Sequence, residues 1–107
     1  MYRIVLEALQ VSLYIKKYHR LPRFYITKQA AARLGWEGGS LDSVLPGMAI
    51  GGDAYHNRSG ALPKSLYWEC DLGTRGSRTR GACRLVFSKT NFFLTLDHYQ
   101  TFIQIHV

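Results

Sequence analysis

The chain has 107 residues, 47% of them hydrophobic and 13% aromatic, with a formal net charge of +7. That length lies near the commonest single-domain size, and the apolar content argues for a packed core and against disorder, so one domain over residues 1–107 is expected. The excess of Lys and Arg fits either a solvated surface or an anionic partner, nucleic acid or an acidic protein, and gives no sequence specificity.

The longest apolar stretch, Met1–Ile15, is broken by Arg3, Glu7 and Gln10 and is too short and too polar to span a membrane. It lacks the basic start, apolar centre and small-residue cleavage site of a signal peptide. The chain is therefore expected to be cytosolic, a mature form whose leader was removed, or a piece of a longer protein. Leu6, Leu9 and Leu13, flanked by Val5, recur at helical spacing and predict a helix over residues 4–17. Lys16 and Lys17 suit its negative C-terminal end, and Pro22 disfavours helix in the residues before it. His19 falls at that helix end and reads as a stability feature rather than chemistry. Thr27 is placed to cap a second helix, Lys28–Leu34, closed by Gly35. A short third helix is expected over Leu41–Leu45, stopped by Pro46 and Gly47.

From Ala49 onward the texture changes to β-rich runs: Ala49–Tyr55, Ser65–Asp71, Arg84–Lys89, Phe92–Leu96 and Tyr99–Ile105. Turn residues separate them at Asn57–Gly60, Gly73–Gly76 and Lys89–Asn91. Helices followed by consecutive strands predict an α+β fold, N-terminal helices packed on a C-terminal antiparallel sheet. The two cysteines, Cys70 and Cys83, have no zinc-site spacing to another Cys or His, so no metal and no cofactor is expected. Free thiols are expected ahead of a cross-strand disulfide, with both sulfurs turned from any cleft that holds Glu69 and Arg84.

The last third sets Glu69, Arg80, Arg84 and His98 in an order that fits phosphoryl transfer on RNA. A carboxylate takes a proton from a nucleophile, a histidine gives one to a leaving group, and arginines hold the charge that develops between them. Imidazole titrates close enough to neutrality to serve as the acid. Each residue also has a plain reading. Glu69 alone is an ion-pair acceptor for Arg80 or Arg84, His98 a core or surface histidine, and Lys28 an exposed lysine in a helix's first turn. Arg75 and Arg78 read as turn residues or unspecific phosphate contacts.

The runs Tyr18–Pro22, Tyr25–Lys28, Ala32–Trp36, Pro46–Gly47, Ile50–Asp53, Asn57–Arg58, Leu62–Pro63, Glu69, Arg80, Arg84 and Asp97–Phe102 appear in one order across residues 14–105. On these the chain resembles the bacterial guanyl-preferring ribonucleases, the barnase-like branch of the microbial ribonuclease superfamily. The first dozen residues match poorly. The resemblance implies a metal-independent endoribonuclease that cleaves single-stranded RNA by transesterification through a 2′,3′-cyclic phosphate. It implies Glu69 as general base, His98 as general acid, and Lys28, Arg58, Arg80 and Arg84 as cations around the phosphate. It also implies Asp71 as the carboxylate that holds the arginines.

In the family, the loop after Asp53 reads guanine, with a glutamate directly after the arginine of the Asn-Arg pair. Here Ser59 stands at that position, and a hydroxyl cannot accept two parallel bonds as a carboxylate does. Tyr55, His56, Asn57, Ser59 and Tyr99 are the expected substrate-binding residues. Tyr55 and Tyr99 offer stacking surfaces that tolerate any base. A relaxed guanine preference is expected. Three roles follow: a toxin domain delivered or secreted by a bacterium and held in check by an acidic inhibitor or immunity protein, a secreted ribonuclease without that role, or a non-catalytic RNA-binding module. Apart from its inhibitor the protein is expected to be a monomer. Retention of both Glu69 and His98 counts against the non-catalytic module.

Overall fold

The computed structural model describes residues 2–107. Its elements run α1 (Tyr2–Tyr18), β1 (Tyr25–Ile26), α2 (Lys28–Arg33), β2 (Ala49–Tyr55), β3 (Tyr67–Asp71), β4 (Arg84–Phe87), β5 (Phe92–Thr95) and β6 (Ile103–Ile105). The strands form one sheet in sequence order, antiparallel except for the β1–β2 pair, which is parallel. The fold is α+β, as expected. No helix among the described residues is long and apolar enough to cross a membrane.

The side-chain alternation of each strand divides the sheet into two faces. Cys70, Leu85, Phe87, Phe92 and Leu94 point to one side and form the main core with α1. Tyr67, Val86 and Phe93 point to the other and form a second cluster with Tyr55, Tyr99 and Phe102. A third cluster, Ala31, Leu41 and Ile50, seats α2 against β2. Glu69 alternates with Cys70, so it lies on the face away from α1.

The helix is rotated relative to the leucine pattern. Leu6, Leu9 and Leu13 are exposed, and α1 buries Ala8, Val11, Ser12 and Ile15 instead. Ala8 and Ser12 are one turn apart and small, which lets the helix approach the sheet closely while Val11 and Ile15 fill the sides. The expected third helix is absent: Leu41–Leu45 closes a single turn, with Leu45 N–H donating to the Leu41 carbonyl at 2.7 Å, and Pro46 follows. The expected strand Tyr99–Ile105 shrinks to Ile103–Ile105, because His98 and Tyr99 take left-handed backbone with φ of 54° and 74°. The short strand β1 was not expected.

Thr27 caps α2 as its sequence implies, its Oγ1 accepting from Ala30 N–H at 3.3 Å. His19 ends α1 in left-handed backbone (φ 58°), its N–H donating to the Ile15 carbonyl at 2.7 Å. Both cysteines are free. Cys70 lies inside the α1-side core and Cys83 packs against it, so neither sulfur faces Glu69. Burial pushes the Cys70 thiol up, which leaves it neutral and unreactive.

Two glycines shape β2 beside the α1-side core. A Cβ on Gly51 would lie 2.6 Å from the Tyr25 ring and 2.7 Å from Cys70 Cβ, so only glycine admits that ring there. Gly52, at φ 105°, carries a bulge that shifts the β2–β3 register and sets Asp53 opposite Glu69.

Candidate active site

A cleft of about 410 Å³ opens on the face of the sheet away from α1. Every site residue singled out from the sequence lines it: Lys28, Tyr55, His56, Asn57, Arg58, Ser59, Glu69, Arg80, Arg84, His98 and Tyr99. Five segments bring them there: the start of α2, the end of β2 with the loop after it, the middle of β3, the loop into β4 with that strand's first residue, and the turn after β5.

The arginines are held by Asp71, not by Glu69. Arg80 donates to Asp71 through Nε at 2.7 Å and Nη2 at 2.9 Å, a bidentate pair. The Nε of Arg84 lies 3.0 Å from Asp71 Oδ1, the oxygen that also accepts from Arg80 Nη2, and makes no hydrogen bond there. Asp71 and Arg84 sit opposite each other in the β3–β4 register, and both are buried. The ion-pair reading of Glu69 therefore fails among the described residues; Asp71 takes that role.

The two arginines differ in what they leave free. Arg84 donates Nη1 to the carbonyls of Cys83 (2.8 Å) and Arg80 (3.2 Å), and Nη2 to that of Gly81 (3.1 Å). It folds the 80–83 loop around itself and keeps little for a ligand beyond its charge. Arg80 commits Nε and Nη2 to Asp71 and leaves Nη1 without a protein acceptor. The guanidinium is held firmly protonated, first by its hydrogen bond to Asp71. Arg80 is thus the arginine with donors to offer an anion.

His98 and Tyr99 come from one turn. Asp97 accepts from Thr95 Oγ1 (3.0 Å), Thr101 N–H (2.9 Å) and Thr101 Oγ1 (2.6 Å). Thr95 Oγ1 in turn accepts from Tyr99 N–H at 3.0 Å, and His98 N–H donates to the Ala82 carbonyl at 3.0 Å. This clamp holds two consecutive left-handed non-glycine residues, each costing on the order of 1–3 kcal/mol, and so aims both side chains into the cleft. It also ties the histidine turn to the arginine loop. The hydrogen bonds from Thr101 and Thr95 hold the Asp97 carboxyl below the usual carboxylate range.

The loop after β2 is shaped by Asn57. Its Nδ2 donates to the Leu62 carbonyl (2.9 Å) and its Oδ1 accepts from Leu62 N–H (3.1 Å). Its side chain is therefore spent on the loop itself, with its backbone at φ 49°. Ser59 Oγ accepts from Ala61 N–H at 3.3 Å, a local turn that leaves the hydroxyl proton free. Tyr55 and Tyr99 stack on each other, with centroids 5.2 Å apart and an interplanar angle of 23°. They form one aromatic wall, not two separate platforms, and Phe102 buttresses it edge-on.

Lys28 is the first residue of α2, and its N–H donates to Asp53 Oδ2 at 3.1 Å. Glu69 receives the Tyr99 hydroxyl at Oε1. The clamp residues Thr95, Asp97 and Thr101 and the Tyr99–Glu69 contact went unmarked in the sequence reading. The spacing of Asp97 and Thr101 within Asp97–Phe102 was the signal available for those two, while Thr95 lies outside that run. Among the described residues no three His, Cys, Asp or Glu side chains form a group able to hold a metal ion.

The profile of the ribonuclease family matches residues 9–106. The chain belongs to the barnase-like ribonuclease family. A ribonuclease of Heyndrickxia coagulans is 44% identical over 101 residues, covering 89% of this chain and 92% of that protein. Ribonucleases of Bacillus intermedius and Bacillus pumilus are each 44% identical over 101 residues, 89% of this chain and 62% of theirs. The chain thus spans about three fifths of the length of those two relatives. A chain of this family with such a cleft is an endoribonuclease.

Proposed function

We propose that this ribonuclease cleaves single-stranded RNA without a metal, by transesterification through a 2′,3′-cyclic phosphate, with residues 1–107 acting as one domain. The observation that carries the reading is the division of labour among the acids. Asp71 neutralises the arginines, and Glu69 stands among cations without an ion pair, in the same cleft as His98. Glu69 takes the proton of the 2′-hydroxyl as its oxygen attacks phosphorus. His98 protonates the departing 5′-oxygen, and the cyclic ester remains. Water then opens the ring with the two roles exchanged. Arg80, Lys28 and Arg58, with the buried charge of Arg84, stabilise the charge on the non-bridging oxygens.

Guanine is preferred but not demanded. The Asn57-shaped loop supports recognition by backbone groups, while Ser59 offers one hydroxyl where a carboxylate would accept two bonds. The net charge of +7 and the cationic cleft suit an acidic inhibitor. This favours a bacterial toxin, secreted or delivered into target cells and neutralised by an immunity protein, and otherwise monomeric. The test is turnover of His98→Ala and Glu69→Ala: each falls about a hundredfold or more, while RNA affinity falls far less for His98→Ala. Cleavage at the natural rate by His98→Ala would refute the assignment.

A further inference from the structure

Tyr99 is the one hydrogen-bond donor that the described residues supply to Glu69, and it reaches Oε1 alone. Oε2 receives none. A carboxylate without an ion pair, on a side chain only half buried, has no other fixed reference for its orientation. Tyr99 has several. Its N–H is tied to Thr95, its ring stacks on Tyr55 at 5.2 Å, and the His98 imidazole meets it edge-on at 4.7 Å. The turn that holds it is strained and clamped by Asp97. One rigid phenol therefore touches both halves of the acid–base pair.

We infer that Tyr99 is a positioning residue for the reaction: its hydroxyl fixes the Glu69 carboxylate through Oε1 and leaves Oε2 as the oxygen that takes the substrate's proton. The inference rests on the reading of Glu69 as the base. Two properties support it. Burial and the adjacent Glu69 push the phenol up from its ordinary value, so it remains a donor at neutral pH. A carboxylate offers about four lone-pair sites, so one oxygen held by Tyr99 leaves the other free. The ring already packs on Tyr55, so the hydroxyl and the ring have separable roles. Removing the hydroxyl alone tests the first and spares the second.

The experiment is a double-mutant cycle on the dinucleotide GpA, with Tyr99→Phe, Glu69→Ala and the double variant. Single-turnover rates at enzyme excess are used where turnover is too slow, and melting curves confirm that each variant folds. Tyr99→Phe is expected to lower kcat about tenfold with KM within about twofold, as loss of orientation does. In the Glu69→Ala background the same change is expected to alter the rate less than about twofold, since the group it orients is gone. An equal loss in both backgrounds would place the hydroxyl on the substrate phosphate and overturn the inference. So would an unchanged kcat in Tyr99→Phe, or a rise confined to KM. If Glu69→Ala itself cleaved at the natural rate, the base assignment would fail instead, a distinct outcome.

Discussion

Replacing Asp71 by alanine should cost more stability than any other single change at the cleft. The carboxylate is 2% exposed and answers two guanidinium groups, Arg80 at 2.7 Å and Arg84 at 3.0 Å. Arg80 is 22% exposed and can turn toward water; Arg84 is 3% exposed and cannot. Asp71→Ala therefore strands one buried charge, a change that typically costs about 3–5 kcal/mol. That is a large share of the roughly 5–15 kcal/mol that holds a domain of this size together. At about 4–8 °C for each kcal/mol in a small domain, the melting temperature should fall by more than about 12 °C. Urea unfolding followed by tryptophan fluorescence gives the free energy directly. The partner experiment is Asp71→Ala with Arg84→Met, which removes both charges and should recover at least half the loss, because the desolvation penalty goes with them. A loss below about 1 kcal/mol for Asp71→Ala would mean the pair behaves as an exposed one, and the buried-anchor account would be wrong.

Other perturbations follow from the same geometry. Natural protein should cut ApX sites appreciably beside GpX, and Ser59→Glu should raise the ratio of their kcat/KM values; strict guanine cleavage by the natural protein would contradict the reading of Ser59. An acidic inhibitor should associate quickly, with an on-rate that falls steeply as salt rises, measured by stopped flow; a salt-independent on-rate would count against electrostatic capture. The Asp97 carboxyl is depressed chiefly by the Thr101 hydroxyl, so its stabilisation is present above its ordinary pKa of about 4 and disappears as pH falls through the lowered folded value. Melting curves of Asp97→Asn should therefore converge on those of the natural protein in acid, and a gap that stays constant from neutral pH to acid would show that the carboxylate charge is not what the turn uses.

Much of this molecule was readable before its fold was known, and the failures have physical causes. The Thr27 cap, Gly35 and the turn residues act locally, so they appear in the sequence where they act. The strands β3 to β5 announce themselves through aromatic and branched apolar residues. The helix α1 was legible but its buried face was not, because Leu6, Leu9 and Leu13 carry more apolar surface than Ala8 and Ser12, and hydropathy alone cannot tell that close packing prefers small residues. The strand expected at Tyr99 failed because a side-chain clamp of Asp97, Thr95 and Thr101 outbid the β propensity of the run. The residues gathered in the cleft were named in advance, and so was Asp71 as the acceptor of the arginines, but their other partners were not. That Asn57 is spent on Leu62 is settled within one loop, whereas the stacking of Tyr55 on Tyr99 and the meeting of Tyr99 with Glu69 are contacts between distant positions, fixed by the fold rather than by local composition.

The central claim is that Glu69 and His98 split RNA through a cyclic phosphate with no metal in the reaction. Digestion of a single-stranded oligoribonucleotide in excess EDTA, with product ends identified by mass spectrometry, tests it most directly. The account predicts undiminished cleavage, with 2′,3′-cyclic phosphate ends accumulating first and opening later to 3′-phosphates. Complete loss of activity in the chelator, or products bearing 5′-phosphates from the outset, would contradict it.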